Sequence, residues 1–344
     1  MEQKVLYSII RSILFRFDPE VTHAASLALL NVAYQLGFLR SIKDERTCVP
    51  HKVMGLEFPN PVGLAAGFDK NAEHIDALSK LGFGFIEVGT VTPRPQRGNQ
   101  KPRLFRIPAA QAIVNRMGFN NHGVEQLVKN IKRAKYRGIL GVSIGKNADT
   151  PIESAVDDYL FSFDKVYDYA SYVALNISSP GTPNLRQLQR KKDLSELLSK
   201  LKLKQRKLTE THGKYVPLVV KIAPDLTQGE VQDIAETLIE HNIDGVIATN
   251  TTLSREGVES MENNTEKGGL SGAPLCKKAT TIVRQLNDAL DEKIPIIASG
   301  GIMTMEDAQE KFNAGASLVQ IYSGLIYSGP KVVRNILATT SYEK

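Results

Sequence analysis

Residues 176–185, with the sequence NISSPGTPNL, hold side chains well suited to chemistry. The apolar segment that leads into them, Tyr172 to Ile177, ends in two serines and a loop rich in proline and glycine. This pattern predicts a buried parallel strand that opens into a loop. A hydroxyl group and two amides at such a strand end could orient a planar polar substrate and place a proton acceptor beside it. The alternative interpretation is an ordinary turn after a strand.

A lysine stands at position 221 inside the apolar sequence PLVVKI of residues 217–222. A buried lysine must meet an anion or a polarised group, or it loses its charge, so this position favours a functional role. Three side-chain amides and a second lysine complete a set that suits a small, flat, anionic substrate with imide-like edges. These residues are Asn115, Asn176, Asn250 and Lys70.

Eight short apolar segments rich in β-branched residues recur along the chain, and each ends in small or polar residues. They are residues 61–68, 85–92, 139–146, 172–179, 217–224, 245–252, 295–302 and 318–325. Segments with helical periodicity lie between most of them, including residues 72–81, 125–135, 229–241, 274–290 and 305–313. This alternation predicts an α/β fold, a (β/α)8 TIM barrel. A doubly wound open sheet is the alternative, but no GxGxxG motif follows the first segment.

The ends of the last two strand segments predict an anion site. Gly300-Gly301 lies at the end of the seventh segment and Ser323-Gly324 at the end of the eighth. Barrels often bind phosphate at these two turns through backbone N–H groups. The alternative is that the glycines serve only tight turns that need a positive φ.

The first 50 or so residues do not follow the repeat. Val5 to Phe17 predicts an amphipathic helix, and Asp18 and Pro19 predict the start of a second helix that extends to Leu36. A basic amphipathic hairpin of this kind could lie in a membrane interface. The alternative is a helical cap on the barrel floor. We therefore predict two units, an N-terminal helical extension over residues 1–45 and a barrel over residues 46–344.

Composition narrows the classes of function. The chain of 344 residues is 42% apolar with a formal net charge of +6, which is ordinary for a globular protein. Its densest basic run, residues 186–207, lacks interleaved aromatics and predicts a solvated helix face and loop, with no nucleic-acid partner. Two distant cysteines without a CxxC motif, and histidines without HExxH spacing, predict no disulfide framework and no metal. No segment has the 18 or more apolar residues of a membrane span, and no secretory signal is convincing.

Seven segments together resemble the dihydroorotate dehydrogenase family. They are residues 65–70, 115–120, 176–185, 220–225, 248–252, 268–272 and 320–324. The resemblance runs from about Val5 to the end of the chain, and it includes the N-terminal helices. It is therefore closest to class 2, the membrane-associated branch that reduces a quinone. It implies an FMN-dependent oxidoreductase that converts (S)-dihydroorotate to orotate in pyrimidine (UMP) biosynthesis.

The resemblance also implies which residues bind the cofactor and the substrate. The residues expected around FMN are Ala66, Gly67, Phe68, Asp69, Lys70, Thr90, Ser143, Asn176, Lys221, Thr249, Gly272, Gly301, Tyr322 and Ser323. Those expected to hold dihydroorotate are Lys70, Asn115, Arg116, Met117, Gly118, Phe119, Asn176, Asn250 and Thr251.

Two residues have implied catalytic roles. Ser179 is expected to accept the C5 proton while a hydride leaves C6 for the flavin, and Lys221 is expected to stabilise negative charge on the reduced flavin. Class 1 relatives use a cysteine as the base, whereas this chain has Ser179 at the matching place. A serine base needs a relay for its proton, and the sequence does not show one.

In the family, the N-terminal helices form the mouth of a tunnel through which quinone reaches the flavin. The resemblance places three polar residues at the inner end of this tunnel: His23, Arg106 and Tyr322. It further implies a monomer that contacts the membrane through these helices. The cysteine content and the absence of a leader rich in Arg and Ser favour a bacterial protein on the cytoplasmic side of the inner membrane, bound peripherally.

Two positions depart from the family pattern. Ser143 stands where the family usually has an asparagine, so one hydrogen bond to the flavin is expected to be weaker or replaced by water. Gly181 stands where the family usually has an asparagine that contacts substrate, and the loss of that amide could cost about 1–3 kcal/mol. We expect weaker substrate binding with the chemistry intact, unless Asn184 supplies an amide in its place.

Two other functions stay open at this stage. One is an FMN barrel of the class 1 type that uses a soluble acceptor such as fumarate or NAD. The other is a membrane-docking barrel that has lost turnover. The presence of Lys70, Ser179 and Lys221 together argues against the second of these.

Overall fold

Thirteen strands occur in the computed structural model, which describes residues 2–39 and 50–338. In chain order they are β1 (His51–Val53), β2 (Leu56–Phe58), β3 (Val62–Leu64), β4 (Phe85–Val91), β5 (Leu104–Ile107), β6 (Ala112–Asn115), β7 (Ile139–Ile144), β8 (Tyr172–Asn176), β9 (Leu218–Ile222), β10 (Gly245–Ala248), β11 (Gly269–Gly272), β12 (Ile296–Ser299) and β13 (Ala316–Ile321). The parallel strands β3, β4, β7, β8, β9, β10, β12 and β13 close into a barrel in chain order. Each lies largely within one predicted segment, so the (β/α)8 prediction is confirmed. Most end earlier than predicted, because their small and polar last residues turn into loops.

Eleven α-helices accompany the strands in the described residues. They are α1 (Glu2–Leu14), α2 (Pro19–Gln35), α3 (Ile75–Leu78), α4 (Val124–Arg133), α5 (Ala155–Val166), α6 (Lys191–His212), α7 (Gln228–Glu240), α8 (Cys276–Leu290), α9 (Met305–Asn313), α10 (Ser323–Ser328) and α11 (Lys331–Leu337). The basic run at residues 186–207 lies in a short 3-10 turn and in α6, whose leucines are buried except for Leu203. Helix α7 begins with a capping box, in which Thr227 and Glu230 satisfy each other's backbone N–H groups.

Two layers of apolar side chains form the core because strand residues alternate between the faces of the barrel wall. Inward-facing residues such as Phe85 and Tyr172 fill the barrel, while Ile86 and Val88 pack outward against the helices. The antiparallel hairpin of β1 and β2 closes the floor, where the Phe58 ring lies 5.1 Å from the Phe85 ring. Burial of this kind contributes about 1.5–3 kcal/mol for each large apolar side chain.

A second sheet, of three antiparallel strands, lies beside the barrel and was not predicted. Strand β6 pairs with both β5 and β11, so that Asn115 lies opposite Leu104 on one side and Gly269 on the other. The four residues of β11, Gly-Leu-Ser-Gly, have little intrinsic strand propensity. This strand therefore depends on its pairing with β6, which a local pattern does not reveal.

The two predicted N-terminal helices are confirmed as α1 and α2. The Asp18 side chain accepts hydrogen bonds from the backbone N–H groups of Glu20 and Val21, as expected of an N-cap. The pair contacts β5, α3 and α10, all of which lie at the carboxyl ends of the barrel strands. The alternative of a cap on the barrel floor is therefore wrong. The predicted boundary at residues 45 and 46 lies outside the described residues.

Several large apolar side chains of α1 and α2 and of the turns after them face solvent. Ile13 is 54% exposed, Phe17 is 61% exposed and Phe38 is 76% exposed. Across residues 2–39 and 50–338, none of the helices combines the length and the apolar character needed to cross a membrane.

Candidate active site

A cavity opens at the carboxyl ends of the barrel strands and gathers most of the predicted site residues. Those that line it are Ala66, Gly67, Lys70, Thr90, Asn115, Met117, Gly118, Phe119, Asn176, Ser179, Lys221, Thr249, Asn250, Thr251, Gly272, Gly301, Tyr322 and Ser323. Among the described residues, its lining includes two lysines and no aspartate or glutamate. The cavity is therefore suited to an anionic ligand.

Six predicted residues do not line the cavity: His23, Phe68, Asp69, Arg106, Arg116 and Ser143. The Arg116 guanidinium binds the Glu266 carboxylate at 2.7 Å and donates to the backbone oxygens of Lys267 and Pro102. Its side chain is thus engaged away from the cavity, and its expected role in holding substrate stays a prediction. The Asp69 carboxylate accepts backbone hydrogen bonds from Glu73 and His74, so it holds the loop before α3 instead of facing a ligand.

Ser143 acts one layer behind the cavity wall. Its buried hydroxyl lies 2.9 Å from the Thr90 hydroxyl, and Thr90 in turn accepts a hydrogen bond of 2.8 Å from the Asn176 amide. The serine therefore supports two lining residues. At this position the family pattern has an amide, whereas in this chain the hydroxyl of a shorter side chain supports the two lining residues.

The side chains at the ends of β8 and β10 form one hydrogen-bonded network. The Asn250 amide donates to Asn176 Oδ1 at 3.1 Å and to Ser178 Oγ at 3.0 Å. Asn250 Oδ1 accepts from the backbone N–H of Thr251 at 2.8 Å. Because each amide is held by its neighbours, its free lone pairs and protons point in fixed directions, as recognition of a planar substrate requires.

Ser179 lies in the loop directly after this network, with its side chain at the cavity wall. Its Oγ accepts a hydrogen bond of 3.3 Å from the backbone N–H of Gly181. Within the described part of the chain, no carboxylate or imidazole hydrogen-bonds to this hydroxyl, so the structure shows no side-chain relay for its proton. Asn184 is exposed in a left-handed turn and does not line the cavity, so it does not supply an amide in place of Gly181.

Lys221 projects from β9 and is only 6% exposed. Its ammonium group has no hydrogen-bond partner among the described residues. Burial lowers the pKa of Lys221, and the negative charge of Glu87 opposes that shift. Glu87 lies deeper in the barrel and accepts hydrogen bonds from the Tyr172 hydroxyl at 2.8 Å and the Gln320 amide at 2.7 Å. A buried ammonium without a partner requires a compensating group, which a bound anion or polarised ring would provide.

On the opposite side, glycines bring the backbone to the cavity. Gly300 and Gly301 follow β12 with φ of 112° and 73°. A Cβ atom on Gly301 would lie 2.2 Å from the Cα of Cys276, so no larger residue fits against the start of α8. Ser323 also lines this side, and its hydroxyl lies 3.0 Å from the Ser271 hydroxyl. The predicted turns after the seventh and eighth strands therefore share one wall of the cavity.

Lys70 lines the wall closest to the N-terminal helices. Its ammonium group donates to the backbone oxygen of Gly67 at 2.9 Å. Burial lowers the pKa of Lys70 to about 8, while the Glu20 carboxylate of α2 acts to raise it. Most Lys70 side chains are thus charged at neutral pH and available to an anion.

A row of three aromatic rings leads from α2 to the cavity. His23 Nε2 donates to the backbone oxygen of Phe68 at 2.9 Å, and the His23 and Phe68 rings meet edge to face at 4.9 Å. The Phe68 ring meets the Tyr322 ring at 5.5 Å. Burial lowers the pKa of His23 to about 4, so the imidazole is neutral at physiological pH.

Arg106, the third residue expected at the inner end of the tunnel, holds the N-terminal helices to β5. Its guanidinium donates to the backbone oxygen of Phe17 at 2.9 Å and to the Thr22 hydroxyl, and it lies 4.5 Å from the centre of the Phe15 ring. Burial lowers the pKa of Arg106.

Two further lining residues, Gly300 and Gly324, belong to the predicted anion site, and six were absent from the predicted sites: Ala65, Ser271, Leu275, Ser299, Ile302 and Gln320. Most of them follow or end a predicted strand, and that position is the signal by which they could have been found. Ser271 lies on β11, and it was missed because the three-stranded sheet was not predicted.

Comparisons with known proteins agree with this geometry. A family model described as Dihydroorotate dehydrogenase matches residues 48–341. Proteins named dihydroorotate dehydrogenase (quinone) from Nitrosospira multiformis and Acinetobacter baylyi are each 58% identical to this chain. The alignments cover 96% and 97% of this chain, and 95% and 99% of the relatives. A crystal structure of DHODH in complex with ferulenol from Eimeria tenella superposes with a TM-score of 0.86 at 40% identity, over 93% of this chain and 90% of that one.

Proposed function

The chain belongs to the dihydroorotate dehydrogenase family, and on that premise we propose that its cavity oxidises dihydroorotate to orotate with a quinone as electron acceptor. The observation that carries this proposal is the grouping of Ser179, Lys70 and Lys221 with three asparagine amides in one cavity, whose lining over residues 2–39 and 50–338 includes no acidic residue. This reaction belongs to pyrimidine biosynthesis.

We infer that FMN is the cofactor and that the residues present fit it. Lys221 offers a buried ammonium without a hydrogen-bond partner in the described parts of the chain, and the glycine turns at Gly300 and Gly301 offer backbone N–H groups for a phosphate. When bound, FMN supplies the acceptor for a hydride from the substrate. The cavity residues proposed to surround it are Ala66, Gly67, Lys70, Thr90, Asn176, Lys221, Thr249, Gly272, Gly301, Tyr322 and Ser323. Lys221 would stabilise negative charge there as a fixed cation.

The remaining lining residues would hold and activate the substrate. Lys70 would pair with the carboxylate of dihydroorotate, and the amides of Asn115, Asn176 and Asn250 would bind its imide-like edges. Ser179 would accept the C5 proton at Oγ and release its own hydroxyl proton to solvent, to which it is partly exposed, as the C6 hydrogen leaves with its electron pair. The electrons of the C5–H bond then form the C5=C6 double bond of orotate.

We further propose that the N-terminal extension, residues 1–45, gives quinone access to the barrel of residues 46–344. Its exposed apolar side chains, including Ile13 and Phe17, suit a membrane interface, and the rings of His23, Phe68 and Tyr322 connect α2 to the cavity. The protein would then be a peripheral monomer on the cytoplasmic side of a bacterial inner membrane.

The test is steady-state oxidation of dihydroorotate by the purified yellow protein, with a ubiquinone analogue and, separately, with fumarate or NAD. Removal of residues 1–45 should abolish turnover with the quinone, while dihydroorotate still bleaches the flavin. Turnover with fumarate or NAD and not with the quinone would favour the class 1 alternative. A colourless protein that FMN cannot reconstitute would favour a barrel without turnover.

Because Glu20 of α2 pairs with the buried Arg103, truncation could also disturb the barrel, and a gentler variant is needed. The double substitution Ile13→Ser and Phe17→Ser keeps the helices and removes exposed apolar surface. We expect weaker binding to lipid vesicles and slower quinone reduction. Leu203→Ser on α6, where the leucine is 55% exposed, is the matched control and should change neither.

A further inference from the structure

The loops that follow β8, β9 and β10 meet at one guanidinium group. Arg186 lies in the 3-10 turn Leu185–Gln189, directly after the loop that carries Ser179. Its Nε donates to the backbone oxygen of Ser178 at 3.0 Å, and its two terminal nitrogens donate to Asp225 Oδ2 at 2.9 Å and to the backbone oxygen of Thr251 at 3.0 Å. A planar fork with five fixed N–H donors is suited to holding three acceptors at once.

Asp225 holds the loop after β10 from a second direction. Its Oδ2 accepts from the backbone N–H of Leu253 at 2.8 Å, and its Oδ1 accepts from the Thr252 hydroxyl and from Lys278. Burial acts to raise the pKa of Asp225, but these hydrogen bonds outweigh it and the pKa lies below its ordinary value. The carboxylate is therefore ionised at neutral pH, and the Arg186–Asp225 pair persists.

The position of Ser179 depends on its neighbour Ser178. The Ser178 hydroxyl accepts from the Asn250 amide at 3.0 Å, and its backbone oxygen accepts from Arg186. The Ser179 hydroxyl itself receives, from the residues that the structure describes, only the 3.3 Å hydrogen bond of the Gly181 N–H. The peptide group that precedes Ser179 is thus fixed by Arg186, although Arg186 does not line the cavity.

We propose that Arg186 is a positioning residue for dihydroorotate oxidation: it holds the proton acceptor Ser179 in register with Thr251 across the substrate. This inference rests on the proposed function. A base displaced by about 1 Å can lose about 100-fold in rate. An arginine that only stabilised the fold would alter thermal stability and would leave the proton-transfer step unchanged in the folded protein.

The test compares Arg186→Met and Arg186→Lys with the wild type in single-turnover oxidation of dihydroorotate, followed by flavin bleaching without oxygen. Arg186→Met should slow this step about 10- to 100-fold. Arg186→Lys should regain thermal stability, since it keeps a cation beside Asp225, without regaining the rate, because one ammonium cannot bridge three separated acceptors. With substrate deuterated at C5, the isotope effect should increase in both variants, because proton transfer to Ser179 becomes more rate-limiting.

Three further measurements separate positioning from general damage. Reoxidation of the reduced protein by quinone should remain within about twofold of wild type, because it does not use Ser179. Hydrogen exchange should rise in peptides over residues 178–184 and 250–253 and not in the helices α4 and α5. Arg190→Met removes a neighbouring exposed arginine for which the structure shows no side-chain hydrogen bond, and it should behave as wild type.

An unchanged isotope effect, with oxidation and reoxidation reduced in proportion to a loss of thermal stability, would overturn the proposal. If Arg186→Met does not fold, Arg186→Lys decides by the same criteria. Failure of the proposed function would be distinct, since the wild type itself would then not oxidise dihydroorotate. Hydrogen exchange would still test the positioning role without any activity. Unchanged exchange at residues 178–184 in the variants would overturn that role.

Discussion

The two sides of the cavity present different parts of the chain to a ligand. At the ends of β8 and β10, side chains line the cavity, and Asn176 and Asn250 are held in place by a hydrogen-bonded network. After β12, Gly300 and Gly301 carry no side chain, so the backbone itself lines the cavity. We call the side at the ends of β8 and β10 the side-chain wall and the side after β12 the backbone wall. The side-chain wall is sensitive to the loss of a functional group, whereas the backbone wall is sensitive to the addition of any atom.

The sharpest test of the side-chain wall is Ser179→Ala. If Ser179 is the base, as proposed, removal of the hydroxyl leaves no proton acceptor at C5, and we expect dihydroorotate oxidation to slow about 100- to 10,000-fold, the usual range for loss of a general base. Orotate binding should change little, because Ser179 is not needed to hold the product. Both are measured by flavin absorbance, in single turnover and by titration.

The companion variant is Ser179→Cys, which replaces the hydroxyl with the thiol that class 1 relatives use as the base. It should be faster than Ser179→Ala and should show a rate that rises with pH as the thiol ionises. A Ser179→Ala protein within tenfold of the wild-type rate would mean that another group accepts the proton.

The backbone wall is tested by Gly301→Ala. The added Cβ would meet the Cα of Cys276 at 2.2 Å, at a φ of 73° that alanine rarely adopts. Overpacking of this kind costs about 1–3 kcal/mol, so FMN binding should weaken by about 10- to 100-fold. The measurement is the FMN dissociation constant by fluorescence after the apoprotein is prepared.

The matched control for this variant is Gly229→Ala in α7, where no atom lies within 4 Å of the added Cβ and φ is not positive. It should leave FMN affinity unchanged and stabilise the helix slightly. Equal loss of FMN in both variants would show that the Gly301 effect arises from general destabilisation.

The same contrast explains which features could be predicted from sequence. The eight barrel strands lie in short apolar segments rich in β-branched residues, and Asp18 is an N-cap by residue type alone, so these elements were predictable from local pattern. The four-residue strands β5 and β6 pair with each other over only 5 to 11 positions and were also missed. Strand β11 was not predictable, because it depends on pairing with β6 residues more than 150 positions away, as Gly269 does with Asn115. The residues close to β11 in the sequence do not indicate which strand it pairs with.

Within the site, residue type revealed the lysine in β9 and the asparagines, because a polar group in an apolar strand is unusual. It did not reveal that the Arg116 side chain turns toward Glu266 or that Asp69 holds a loop. The direction in which a side chain points depends on which hydrogen-bond partners are accessible to it in the folded protein. Arg186 likewise was read as part of a solvated basic run, since its three acceptors lie on separate loops.

The smallest expected effect comes from restoring the missing amide on the side-chain wall with Gly181→Asn. A Cβ at Gly181 would meet only ordinary contacts, the nearest being the Gly118 nitrogen at 3.4 Å, and its φ is not positive. Asn99 lies close by, but its amide is already used by the backbone oxygens of Arg116 and Gly181. Gly181 is partly exposed, so water can already form part of the hydrogen bonding to substrate at this position. One added hydrogen bond should therefore contribute about 1 kcal/mol to the free energy of substrate binding.

The Michaelis constant for dihydroorotate should therefore fall about fivefold, with kcat nearly unchanged, as expected for binding that is equal in the ground and transition states. An unchanged Michaelis constant would mean that the substrate does not reach Gly181. The side-chain wall would then end at Ser179, and fewer positions on it would contact substrate than the hydrogen-bonded network suggests.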